Sequence, residues 1–227
     1  FWVAYVGIPA FIVTLAGMLL FRGLTLVLLT GGTINALPDE FVAIGKGSLP
    51  QSMGTMLGGH DVVTMLIALV VVAAVIGSQL RPRARRKKLD LPVEPGAALI
   101  AKLAIVAVAV LAFAWLLSAH KGLPIILIIL AVLIMLYTFI LQRTVFGRNV
   151  YAMGGNLFAA KMSGVRTERV NFLIFVNMGV LAALAGIVTT ARAGGAVASD
   201  GNTYELDAIA AAFIGGAAVT GGVGTVI

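Results

Sequence analysis

Cysteine is absent from this 227-residue chain, and charged residues are scarce. Without cysteine the chain has no disulfide, no cysteine-ligated zinc and no thiol nucleophile. Charged residues make up only 11% of the sequence, whereas hydrophobic residues make up 60%. A soluble domain carries about 25% charged residues, so this sequence holds too little polar surface to cover a water-soluble globule. The composition therefore predicts an all-α fold, a polytopic bundle of transmembrane helices.

Five apolar stretches reach the length of about 20 residues that an α-helix needs to cross a bilayer. They cover residues 9–30, about 61–80, 97–119, 123–142 and about 172–192. A sixth stretch, 208–227, reads "AIAAAFIGGAAVTGGVGTVI", and its glycines leave open whether it spans or re-enters. The chain starts without Met and ends in apolar sequence. We therefore expect residues 1–227 to be part of one transmembrane domain in a longer polypeptide, with five to six spans here.

Positive charge is concentrated in two segments between the predicted spans. The predicted loop 81–96 opens with "RPRARRKK", and the segment 143–171 holds a further group of arginines and a lysine. By the positive-inside rule both face the cytoplasm, and the two spans between them return the chain to the same side. The first run lies between spans and contains no aromatic residue, so it indicates topology and lipid contact, and no nucleic-acid partner is expected.

The sequence offers no catalytic set, no metal site and no cofactor motif. His60 and His120 lie near predicted span ends, and neither has a partner at metal-ligand spacing. The glycine-rich "GGVGTV" near the end lacks the lysine of a phosphate-binding loop. We therefore expect a chain that is not an enzyme and that does not itself bind or hydrolyse ATP.

Arg22 is the one charge well inside a predicted span, about 20 Å along the helix from Pro9 at roughly 1.5 Å per residue. An intramembrane charge is costly and is a functional candidate, so one hypothesis places Arg22 on the solute pathway. The alternatives are that its side chain reaches the outer headgroups or pairs with a backbone carbonyl. Asn177, in the fifth span, is a second pathway candidate, or it bonds across helices.

A short helix outside the membrane is predicted at "GGNLFAAKMSGV", residues 154–165. Asn156 is a suitable N-cap and Gly164 a suitable terminator, and Phe158 and Met162 between them share one face. A membrane-surface helix normally carries several basic residues, whereas this one has only Lys161, so we expect its apolar face to bind a partner protein. The candidate contact residues are Asn156, Leu157, Phe158, Lys161, Met162 and Gly164.

Three stretches resemble the membrane permeases of bacterial sugar ABC importers, the ribose, xylose and arabinose group. They read "IPAFIVTLAGMLLFRGLTLVLLTGG" (8–32), "RTVFGRNVYAMGGNLFAAKMSGVRTERVNFLIFVNMGVLAALAGIVTTARAGGA" (143–196) and "YELDAIAAAFIGGAAVTGGVGTV" (204–226). They follow the family's order and cover nearly half of the chain. Residues 81–119 look like an insertion relative to ribose-type members, and with "GGTINALPDEFVAIGKGSLP" they make D-xylose the expected sugar.

The resemblance implies a multi-pass permease subunit in the bacterial inner membrane. It implies that a separate ATP-binding-cassette subunit hydrolyses ATP and receives residues 156–164 as a coupling helix. It also implies that a periplasmic binding protein delivers the monosaccharide and that two permease copies form the transporter. Candidate contacts with the binding protein are outer acids, which could instead serve only topology and solubility. These acids are Asp39, Glu40, Asp200 and Glu205.

Two alternative functions remain open from the sequence. A permease of the same architecture could carry another sugar or a nucleoside. An ion-coupled secondary transporter would need carboxylates deep in the membrane, and the five predicted spans hold none there, since Asp61 lies at a span end.

Overall fold

The computed structural model describes residues 1–29, 32–49, 55–56, 60–88, 96–118, 122–218 and 221–226. The chain divides into two compact units, one formed by Phe1–Lys46 with Ile128–Ile227 and the other by Gly47–Leu127. Each unit is described by itself below. A predicted feature at His120 lies outside the described residues, and of His60 only the backbone is described.

The first unit is largely helical. A short π-helical segment, Trp2–Val6, precedes α1, and two short strands and the remaining helices follow. The elements are α1 (Ala10–Leu28), β1 (Thr33–Asn35), α2 (Asp39–Lys46), most of α5 (Ile125–Arg143), α6 (Val145–Gly155), α7 (Leu157–Met162), α8 (Thr167–Ala193), β4 (Gly195–Val197) and α9 (Tyr204–Ile214).

The second unit contains two strands and two long helices, β2 (Thr55–Met56), β3 (His60–Asp61), α3 (Val62–Lys88) and α4 (Gly96–Ser118). Asp61 is fully buried at the start of α3, where its Oδ2 accepts hydrogen bonds from the backbone N of Thr64 at 3.0 Å and from Thr64 Oγ1 at 2.6 Å. These bonds satisfy donors that the first turn of a helix leaves free. Asp61 therefore serves as a helix cap, consistent with its predicted place at a span end.

Four helices among the described residues are long and apolar enough to cross a membrane: Ala10–Leu28, Leu99–Ser118, Ile125–Arg143 and Thr167–Ala193. They coincide with the first, third, fourth and fifth predicted spans. Almost none of their residues are buried within the chain, so their apolar side chains face outward, as a lipid environment requires. The predicted fold class, a polytopic helical membrane protein, is confirmed.

The second predicted span differs from the structure in its extent. Its apolar part is Val62–Gly77, but the helix α3 continues to Lys88 and therefore includes the first half of the predicted basic loop 81–96. Arginine, lysine and alanine are good helix formers, and the backbone remains helical through Pro82. Residues 81–88 thus continue the helix, where a loop was expected.

The predicted sixth apolar stretch forms a helix only in its first part. Helix α9 begins at Tyr204 and ends at Ile214, and Gly216 then adopts a left-handed φ of +82°. A left-handed residue ends a helix, and glycine takes that conformation without steric cost. The described residues after Gly216 form no helix or strand, so the glycines interrupt the helix as their number suggested.

A short ribbon and a close helix contact hold the predicted outer side of the first unit together. Strand β1 pairs antiparallel with β4, with Ile34 opposite Ala196. Helix α2 packs on the end of α8 through Gly45, where an added Cβ would lie 2.2 Å from the backbone N of Arg192. Only a residue without a side chain allows two helices to approach this closely.

Candidate functional site

The predicted short helix is present as α7, and it follows a helix that the sequence reasoning missed. Helix α6 begins after Thr144, whose Oγ1 accepts a hydrogen bond from the backbone N of Gly147 at 3.2 Å. It ends at Gly155, and Asn156 alone separates it from α7. The N-capping threonine before "VFGRNVYAMGG" was the available signal for α6.

Both ends of α7 are fixed by local hydrogen bonds. At its start Asn156 Oδ1 accepts from the backbone N of Ala159 at 2.9 Å, as predicted for an N-cap. At its end Gly164 has a φ of +83°, and its N–H donates to the carbonyl of Lys161 at 3.1 Å. The N–H of Val165 donates to the carbonyl of Ala160 at 3.1 Å. Such caps provide hydrogen-bond partners for backbone N–H and C=O groups that a short helix would otherwise leave unpaired. The conformation of α7 is therefore fixed at both ends.

Helix α7 has one buried side and one exposed apolar side. Ala160 is only 4% exposed, whereas Phe158 is 75% exposed and Met162 is 72% exposed. Leu157 beside them is also largely exposed. A fixed helix that turns large apolar side chains away from its own fold presents a contact surface. We call Leu157, Phe158 and Met162 the α7 face.

Helix α7 itself contains one charged residue, Lys161. Lys161 Nζ lies 3.6 Å from Glu168 Oε1, and both side chains are exposed. An exposed pair of this kind contributes only about 0–1 kcal/mol. Lys161 therefore orients toward the first turn of α8 and adds little to the stability of the segment.

The glycines before α7 contact the stretch that follows α9. A Cβ added to Gly154 would lie 2.1 Å from the backbone N of Gly222, whereas one added to Gly155 would meet nothing within 4 Å. Nearby, Tyr151 Oη donates a hydrogen bond to the carbonyl of Gly224 at 2.8 Å. The two backbones touch directly, so the end of α6 and residues 221–224 form one joint. We call this contact the glycine joint.

Arg22 forms an ion pair that none of the sequence alternatives anticipated. Its Nη2 lies 2.9 Å from Oε1 of Glu205, in the first turn of α9, although 183 residues separate the two. Both side chains are about two-fifths exposed. The pair joins α1 to α9 and neutralises a charge that lipid would exclude. Arg22, a candidate for the solute pathway, is therefore paired with Glu205, a candidate for contact with the binding protein.

Asn177 lies elsewhere, between two spans. Its Oδ1 accepts a hydrogen bond from Tyr137 Oη at 2.5 Å, which links α5 to α8. Of the two sequence alternatives for Asn177, the bond across helices is the arrangement seen. The structure does not bring Asn177 to Arg22.

The remaining outer acids are exposed. Asp39 and Glu40 occupy the first turn of α2, where a negative charge favours the helix N-terminus. Asp200 Oδ2 accepts from the backbone N of Val197 at 2.8 Å and so holds the turn after β4. No group of three metal-ligating side chains occurs within the part of the chain that the structure describes.

Apolar helices of membrane length, together with a capped short helix that exposes apolar side chains, define a polytopic helical membrane protein as the class of protein. The chain belongs to the family described as "Branched-chain amino acid transport system / permease component", whose model matches residues 1–227. Permeases of this family are multi-pass proteins of the bacterial inner membrane, and the four apolar helices fit that location.

Curated relatives agree with that assignment. The chain is 42% identical over 99% of its length to the xylose transport system permease protein of Haemophilus influenzae, and it covers 57% of that relative. It is 40% identical over 99% of its length to the corresponding protein of Escherichia coli K12, of which it covers 55%. A ribose import permease protein of Bacillus subtilis is 41% identical over 47% of this chain and 33% of its own length.

The chain thus spans little more than half the length of the xylose permeases that it matches. No solved structure matches it significantly.

Proposed function

We propose that the full-length protein is the permease subunit of an ATP-driven importer, and that its cargo is a monosaccharide, D-xylose. The observation that carries the proposal is the α7 face, a capped helix with exposed apolar side chains on the basic side of the first unit. Two relatives named as xylose transport permeases align over nearly all of this chain, which favours xylose over another sugar or a nucleoside.

In this proposal the α7 face binds a groove on a separate ATP-binding subunit. Phe158 and Met162 are four residues apart and both point away from the fold, as anchors of a helix in a groove do. Large apolar side chains at the centre of an interface supply most of its binding energy. ATP hydrolysis belongs to the partner, and α7 receives the movement.

The contacts of the first unit offer a route for that movement. Helix α7 follows the end of α6 directly, and Gly154 at that end touches Gly222. The chain leads back from Gly222 to α9, and Glu205 at the start of α9 holds Arg22 in α1. A displacement of α7 is then passed through the glycine joint to the ion pair near the predicted outer side. We assign Arg22 with Glu205 to the solute pathway, because a charged pair in a span is best accommodated beside a polar path.

The outer surface is the proposed contact for a periplasmic sugar-binding protein. Asp39 and Glu40 are exposed on α2, and Asp200 lies in the turn after β4. Glu205 is removed from that set, because its carboxylate pairs with Arg22. A second copy of the permease completes the transporter in this proposal, and the outward-facing apolar spans provide surface for that contact and for lipid.

The first test reconstitutes the full-length protein with candidate ATP-binding and sugar-binding proteins, and it screens pentoses and hexoses for stimulated ATP hydrolysis. D-xylose is expected to give the largest stimulation. Stimulation by another sugar alone would contradict the assigned cargo, and an absence of ATP-binding subunit in the purified complex would contradict the importer.

The second test changes the α7 face. Phe158→Asp is expected to reduce sugar-stimulated ATP hydrolysis and uptake by at least about tenfold, because an unpaired carboxylate in an apolar contact carries a large desolvation cost. Ala152→Asp is the matched control, since it adds the same charge to an exposed position of α6. Normal uptake by the Phe158 variant, with the protein correctly inserted, would refute the coupling role.

A further inference from the structure

Two adjoining cavities of opposite polarity lie along α5, α6 and α8. The first has a volume of about 430 Å³ and lies between the start of α6 and the turn into α8. The second has a volume of about 470 Å³ and runs along α5 and α8. Leu173 lines both cavities, so they meet at this residue. We call them the basic cavity and the apolar cavity.

The basic cavity carries positive charge that has no acidic partner among the described residues. Arg166 and Arg169 line it together with Asn149. Among the described residues, neither guanidinium forms an ion pair, since the carboxylates found in ion pairs belong to Glu205 and Glu168 and are bound by Arg22 and Lys161. Two arginines beside an amide provide several N–H donors for one anion. The cavity is therefore complementary to a phosphate group.

The apolar cavity suits a hydrocarbon chain. Its lining is aliphatic or aromatic apart from Tyr137 and Asn177, and those two side chains hydrogen-bond each other. This bond pairs the Tyr137 hydroxyl with the Asn177 amide oxygen, so the Asn177 NH2 group is the polar group of this lining that still needs an acceptor. An occupant with an anionic end and an apolar end would fill the two cavities in one orientation only.

The positions of the two cavities along the chain also place the anionic end and the apolar end of the occupant in one order. The basic cavity lies where the basic segment 143–171 meets the spans. The apolar cavity continues from Leu173 along α8 into its apolar part. Phospholipid headgroups and acyl chains are stacked in this order at the cytoplasmic surface of a bilayer, and basic pockets between helices on that side bind anionic headgroups. A protein segment would need its own anion placed next to Leu173 to match both cavities.

We propose that this pair of cavities is a binding site for one anionic phospholipid of the inner leaflet. Arg166 and Arg169 hold its phosphate, Leu173 marks the junction, and an acyl chain lies between α5 and α8. The site lies directly after α7, so the bound lipid would hold the start of α8 in place beside the α7 face. This inference does not depend on the identity of the transported sugar.

The test measures lipid binding to the full-length protein by native mass spectrometry. The probes are phosphatidylglycerol and phosphatidylcholine with identical acyl chains. The wild-type protein is expected to retain one phosphatidylglycerol per protomer in preference to phosphatidylcholine. R166Q/R169Q is expected to lose about 25-fold in affinity for phosphatidylglycerol, about fivefold per arginine at a membrane surface.

Matched variants separate a site from diffuse attraction. R143Q/R148Q removes two charges from the same basic segment outside either cavity lining, and it is expected to keep the lipid. R166K/R169K keeps the charge and is expected to restore most of the binding. Leu173→Trp should block the junction and release the lipid, whereas Leu184→Trp on the same helix should not, because Leu184 lines neither cavity.

Three results would overturn the proposal. The wild-type protein could bind both lipids equally, or R143Q/R148Q could lose as much affinity as R166Q/R169Q. A photo-crosslinker in place of Val180, which lines the apolar cavity, could attach to another protein segment and to no lipid. The last result would mean that the rest of the protein or a second copy fills the groove.

Discussion

Replacing Gly154 by alanine places a methyl group in the glycine joint. The new Cβ would lie 2.1 Å from the backbone N and 2.8 Å from the Cα of Gly222, well inside the 3.4–4 Å of ordinary contact. The obstructing atoms are backbone, so no side chain can rotate away. Forcing an extra carbon into a packed contact of this kind costs about 1–3 kcal/mol.

Gly155→Ala is the internal control for this prediction. It adds the same methyl group at the neighbouring residue, where nothing lies within 4 Å. Both substitutions gain a similar helix propensity of roughly 0.5–1 kcal/mol over glycine. Their difference therefore isolates the steric overlap and is expected to be about 1–3 kcal/mol.

The assay is thermal denaturation of the full-length protein in one detergent, with each variant measured beside the wild type. A stability change of 1 kcal/mol shifts the midpoint by about 2–4 °C for chains of roughly 150–250 residues, and by less for a longer chain such as the full-length protein. Gly154→Ala is thus expected to melt at a lower temperature than Gly155→Ala. Coupling between ATP hydrolysis and sugar uptake should fall in the same order. Equal midpoints, or a lower midpoint for Gly155→Ala, would refute the glycine joint.

Two further predictions concern the predicted outer half of the first unit. Glu205→Ala leaves Arg22 unpaired, which costs about 2.5–3.5 kcal/mol at the bilayer centre and less toward its edge. This variant should therefore melt at a lower temperature than R22A/E205A, and the charge exchange R22E/E205R should recover stability. A double variant that is no more stable than Glu205→Ala would exclude a stabilising pair. Gly45→Ala should separate α2 from α8, because its Cβ would meet the backbone of Arg192 at 2.2 Å, and Gly186→Ala on α8, with nothing within 4 Å, is its control. Equal melting temperatures for these two glycine variants would contradict the close packing of α2.

The spans and the short helix were predictable because their signals are local. A bilayer demands about 20 apolar residues in a row, and α1, α4, α5 and α8 carry such runs. A capped helix needs only its own ends, and Asn156 and Gly164 supply them for α7. These elements were found from the sequence with small errors at their boundaries.

Contacts between distant parts of the chain were not predictable in the same way. Arg22 and Glu205 are 183 residues apart, and no periodicity in the sequence links them. Gly154 and Gly155 look alike in the sequence, and only the fold shows that an added Cβ would overlap Gly222 at Gly154 and would meet nothing within 4 Å at Gly155. The extension of α3 to Lys88 was missed because a basic run was taken as a loop, although lysine and arginine are good helix formers.

The α7 face as the point where an external ATP-binding subunit engages is the central claim. The most direct measurement places a photo-crosslinking amino acid at Phe158 in the full-length protein, co-expressed with the ATP-binding and sugar-binding proteins, with Phe139 on the apolar helix α5 as the comparison site. We predict adducts with the ATP-binding subunit from position 158 and none from position 139. Adducts from position 158 with lipid alone, or with the sugar-binding protein, would contradict the account.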